Sequence, residues 1–95
     1  MIDRKFVFTA TNPCNGKTYT NKNALILCAK DLAVPAALEA YKAECVKLGS
    51  NPEHIESIGL LIERVKQYQL VERHVPDTEL ECEIARCIRG EGLED

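Results

Sequence analysis

Apolar and polar positions change their period along this chain, and each change marks an expected element. Lys5-Phe6-Val7-Phe8-Thr9-Ala10 alternates and is rich in β-branched and aromatic types, as a strand requires. Turn chemistry follows in Asn12-Pro13-Cys14-Asn15-Gly16, and Lys17-Thr18-Tyr19-Thr20 reads as a short return strand. A β-hairpin is therefore expected over residues 5–20. Asn15-Gly16 is the pair that suits a type I′ turn, and Pro13, which has no N–H to donate, marks the end of pairing and makes the connection a loop across 11–16.

After Thr20 the period becomes helical. Leu25, Cys28, Ala29 and Leu32 fall at i, i+3, i+4 and i+7, with Thr20 or Asn21 as cap, which predicts a short helix over 22–32. Val34-Pro35 breaks it and starts a second helix over about 35–48. That helix has Leu38, Tyr41, Cys45 and Leu48 as its apolar stripe and Gly49 as its left-handed cap. Asn51-Pro52-Glu53 is a strong start signal for a third, over about 52–71. Ile55, Ile58, Leu61, Ile62, Val65 and Tyr68 hold its 3.6 period, and Gly59 within it suggests close approach by a neighbouring element. The two-residue link makes helices two and three antiparallel neighbours. For residues 78–89, strict alternation from Glu79 to Ile84 competes with a helical face of Leu80, Ile84, Cys87 and Ile88, and helix is preferred for its capping signals.

The expected fold is thus α+β: an N-terminal β-hairpin followed by three to four α-helices, with the helical hairpin of 35–48 and 52–71 as core. At 95 residues, a single domain over 1–95 is expected, with the helical part over 22–89 and 91–95 fraying. The 45% hydrophobic and 28% charged content supports a real core and excludes disordered and low-complexity classes. Neither a long apolar run nor a secretory leader is read, which suggests a cytoplasmic protein.

Charge changes the picture through its distribution. Residues 1–48 carry seven basic and four acidic side chains, a balance of +3, whereas 49–95 carry five basic and eleven acidic, a balance of −6. The net −3 has the wrong sign for a binder of the nucleic-acid backbone, so no nucleic-acid partner is expected. The asymmetry suits self-association, or a patch of Arg4, Lys5, Lys17 and Lys22 that holds an anionic, nucleotide-like molecule.

Five cysteines, Cys14, Cys28, Cys45, Cys82 and Cys87, are an odd set that reads as reduced thiols. Cys82 and Cys87 are spaced loosely for zinc, and neither His54 nor His74 belongs to a histidine pair, so no metal and no cofactor is expected. Thr11 to Thr18 matches the phosphate-loop pattern except that Thr11 replaces its first Gly. Tyr19-Thr20 delays the helix that such a loop needs at its Lys, so a plain hairpin turn is the better reading. Cys14 is the most exposed thiol expected, with no base beside it in sequence, and no catalytic residue is assigned.

Phe6, Val7, Phe8 and Tyr19 are expected to place apolar groups on both faces of a sheet too small to stand alone, and the cheapest cover is a second copy of the chain. The function expected is that of a small non-catalytic interaction protein, an adaptor or inhibitor working as a homo-oligomer, of the kind found among bacterial or phage accessory proteins. A binder of small anionic ligands and a small zinc protein are the alternatives.

Overall fold

A computed structural model describes residues 6–77, which form a mixed α+β arrangement: an antiparallel two-stranded hairpin followed by two α-helices. Arg4, Lys5, the segment 78–89, the tail 91–95, Cys82 and Cys87 lie outside the described residues. Two compact units are distinguished, one reaching to Leu27 and the other spanning Cys28–Pro76.

In the first unit, β1 (Thr9–Thr11) pairs with β2 (Thr18–Thr20), matching Thr9 with Thr20, Ala10 with Tyr19 and Thr11 with Thr18. The ladder is shorter than the expected 5–20, and Phe6, Val7 and Phe8 precede it. Because side chains alternate across a strand, the four threonines share one face and Ala10 and Tyr19 the other. The turn also differs from expectation. A type I′ turn needs positive φ at both central residues, yet only Gly16, at φ 74°, has it. Asn12 closes the loop instead: its N–H donates to the Lys17 carbonyl at 2.8 Å and its own carbonyl accepts from the Gly16 N–H at 2.8 Å.

The expected helix over 22–32 does not form. One turn is made, where the Thr20 carbonyl accepts from the N–H groups of Asn23 and Ala24 at 3.1 and 3.0 Å, and then the chain leaves regular structure. Local side-chain bonds compete with propagation: Asn23 Oδ1 accepts from the Thr20 N–H at 2.9 Å and Thr20 Oγ1 from the Lys22 N–H at 3.3 Å. Among the described residues, two helices stand where three to four were expected over the whole chain.

The second unit contains α1 (Val34–Leu48) and α2 (Pro52–Tyr68). Pro35 lies in the first turn of α1, where its missing N–H costs nothing, and Asp31 Oδ1 accepts from the Ala33 N–H at 2.8 Å just before it. Gly49 ends the helix at φ 78°, with its own N–H on Val46 and that of Ser50 on the Cys45 carbonyl, the paired bonds of a Schellman motif. After this short link, Asn51 caps α2 by accepting from the His54 N–H at 2.8 Å, with Pro52 in the first turn, as its sequence signals imply. Helix α2 stops at Tyr68 rather than 71, since the N–H groups of Leu70 and Val71 make three-residue turn bonds to Gln67 and Tyr68.

The core lies between the helices. Cys45, Ile58 and Ile62 form its buried cluster, with Leu38 and Ile55 packed on it, while Val34 and Val65 are also buried. For α2 the expected stripe holds except at Tyr68, which is exposed. For α1 the seam is rotated: Leu38 and Cys45 face α2, whereas Tyr41 and Leu48 stand exposed. Gly59 admits no close helix. A Cβ built there would meet only the Lys42 ammonium, at 3.4 Å.

Candidate functional site

Helix α1 carries only four polar side chains, Glu39, Lys42, Glu44 and Lys47, in fifteen residues. These four charged residues occupy the half of the helix opposite Val34, Leu38, Tyr41, Cys45 and Leu48, which share one broad apolar stripe. Yet α2 covers only part of that stripe, at Leu38 and Cys45. Tyr41 is 52%, Val46 57% and Leu48 76% exposed. Tyr41 and Leu48 are seven residues apart and so lie one above the other, two turns along α1, on the flank next to buried Cys45. Exposed Ala37 extends this stripe toward the helix start.

The stripe has a polar border at the first turn of α2. Tyr41 Oη lies 3.4 Å from His54 Nε2, and the two rings meet edge to face with centroids 6.2 Å apart and planes at 74°. That contact orients the Tyr41 ring while leaving half of it to solvent, the mixed character that makes Tyr common at interfaces.

A second group of exposed aliphatics follows α2, where Leu70, Val71 and Val75 are each more than 70% exposed. A polar clasp fixes the backbone that carries them. Gln69 Nε2 donates to the carbonyls of Ala29 at 3.0 Å and Asp31 at 2.8 Å. Asp31 and His74 form a parallel bridge, in which the His74 N–H donates to the Lys30 carbonyl at 2.8 Å and the Leu32 N–H to the His74 carbonyl at 3.0 Å. Glu72 is the charged hub: Tyr68 Oη donates to its Oε1 at 2.7 Å, and Lys30 Nζ and His74 Nε2 lie 3.8 and 3.5 Å from its Oε2. The Tyr68 hydrogen bond lowers the Glu72 carboxyl most; desolvation opposes it, and the charges of Lys30 and His74 add to the lowering, so the net shift is downward. The same hydrogen bond and the negative charge of Glu72 push the Tyr68 phenol up. Sequence reading weighs His74 as a metal ligand and misses the clasp, since the bonds join residues about forty positions apart and only the Tyr68–Glu72 spacing of four hints at it.

Lys17 and Lys22 are both exposed on the hairpin unit, beyond the two ends of β2. Phe6 and Phe8 are half-buried, Val7 is exposed and Tyr19 sits opposite Ala10. Of the described thiols, Cys14 is exposed, Cys28 half-buried and Cys45 buried. Among the described residues no three His, Cys, Asp or Glu side chains are grouped to hold a metal ion, and no helix is long and apolar enough to cross a membrane.

No protein-family model matches this chain, and neither a curated protein nor a solved structure shows significant similarity to it.

Proposed function

We propose that this is a non-catalytic interaction protein that works as a homo-oligomer, with the open flank of α1 as the contact. The observation that supports it is the incomplete cover of the α1 apolar stripe: Leu38 and Cys45 pack against α2, while Tyr41 and Leu48 of the same stripe stand exposed. Two helices around a three-residue buried cluster make a thin core, and a second copy laid along Ala37, Tyr41 and Leu48 would cover the part of the α1 stripe that α2 leaves open. The aromatic anchor Tyr41, with polar His54 against its ring and Glu44 one turn along the same helix, has the make-up of an interface centre with its rim.

The test is sedimentation equilibrium over a concentration series, run on the native chain and on Leu48→Glu and Tyr41→Ala. Association of the native chain, weakened in both variants while the helical circular dichroism persists, is the expected result. Association unchanged by both variants would remove this flank from the proposal.

A further inference from the structure

The tip of the hairpin combines three features that organic chemistry makes reactive together. Asn15 and Gly16 are both exposed, Gly16 has no Cβ to hinder approach, and Asn15 Oδ1 accepts the Lys17 N–H at 2.9 Å. That hydrogen bond draws electron density from the side-chain carbonyl and supports the negative oxygen that would form if a nucleophile attacked its carbon. The nucleophile is the next backbone nitrogen, that of Gly16. We infer that Asn15 is a site of spontaneous self-modification, at which the hairpin turn converts from amide to carboxylate.

The step balances with water alone. The Gly16 nitrogen attacks Asn15 Cγ, a nitrogen–carbon bond forms, the Cγ–Nδ2 bond breaks, and ammonia leaves with the proton from Gly16. The resulting five-membered imide takes up one water. Opening at Cγ gives aspartate, and opening at the backbone carbonyl gives isoaspartate, in which the main chain is longer by one methylene.

The other asparagines are poorer in the same chemistry. Asn12 and Asn51 precede Pro13 and Pro52, whose ring nitrogens carry no proton to lose. Asn21 and Asn23 precede Lys22 and Ala24, whose Cβ atoms crowd the approach. The turn itself sets the gate: the Gly16 N–H is held by the Asn12 carbonyl at 2.8 Å and must leave it before it can react. Conversion adds a negative charge two residues from Lys17, and the isoaspartate form displaces the loop that the Asn12–Lys17 bond closes at 2.8 Å.

The test incubates the full chain in mildly alkaline buffer and follows it by isoelectric focusing and by mass spectrometry of tryptic peptides. An acidic isoform should accumulate, with the new carboxyl at position 15 of the peptide 6–17, partly as isoaspartate, and with faster amide exchange at Asn12 in that isoform. Asn15→Gln should lose the isoform, and Asn15→Asp should carry the added charge from the start without forming isoaspartate as fast. Absence of an acidic isoform, its mapping to Asn21 or Asn23, or its undiminished appearance in Asn15→Gln would each overturn the inference.

Discussion

Leu32 and His74 are joined by a main-chain hydrogen bond of 3.0 Å, so the chain entering α1 is tied to the chain leaving α2. Around that bond, Gln69 and Glu72 supply the side-chain half of the clasp, and the two halves make different demands on solution conditions.

Gln69 serves two carbonyls at once in a half-buried position. Gln69→Ala should cost about 1–3 kcal/mol, because it removes the side-chain donor of the Ala29 oxygen and leaves the Asp31 oxygen with the Val34 N–H alone. Gln67→Ala, two residues earlier on an exposed side of α2, should fall within about 0.5 kcal/mol of the parent. Urea unfolding of the two variants measures the difference, and equal midpoints would show that the clasp contributes nothing.

The Glu72 half responds to pH, with a sign fixed by its lowered carboxyl. A carboxylate whose folded value lies below its unfolded value stabilises the fold above the ordinary carboxylate range, and that contribution is lost as pH falls through the folded value. The raised Tyr68 phenol acts at the other end: its contribution is complete below the ordinary phenol range and lost as pH climbs through the folded value. Melting temperature against pH should therefore drop more steeply at both extremes in the native chain than in Glu72→Gln. Parallel curves would show that Glu72 is uncoupled from folding.

Two glycines should respond to alanine in opposite directions. At Gly49 there is open space but φ is 78°, so Gly49→Ala strains the backbone and should destabilise by about 1 kcal/mol. At Gly59, inside α2, the nearest group is the movable end of Lys42, so Gly59→Ala should stabilise by up to about 1 kcal/mol through helix propensity. Thermal unfolding distinguishes them by the direction of the shift.

Core truncation should be severe because few residues share the load. Ile62→Ala removes one of the three members of the buried cluster and should cost about 2–5 kcal/mol. Leu60→Ala, on the opposite side of the same helix and 66% exposed, should cost little. Similar losses from both would contradict the assignment of the α2 stripe.

What was legible in the sequence had local causes. Asn51-Pro52 and Gly49 mark helix ends by chemistry confined to a few positions, and both behave as expected. The stripe of α2 was legible because Ile55, Ile58, Ile62 and Val65 are set against charged neighbours. In α1 the expected stripe is right for Leu38 and Cys45, which face α2, while Tyr41 and Leu48 fall at its open edge, because periodicity finds the apolar stripe but not which part of it the partner helix covers. The segment after Thr20 has an apolar period that suits a helix, but Asn23 and Thr20 spend their side chains on one turn, and Lys30 to Leu32 pair instead with His74. Partners that far along the chain leave no mark in a window of neighbouring residues.

The most direct test of the interaction account is native mass spectrometry of the chain freshly purified from cells. The account predicts a mass of two or more copies of the 10.6 kDa chain. A single copy at every concentration would contradict it.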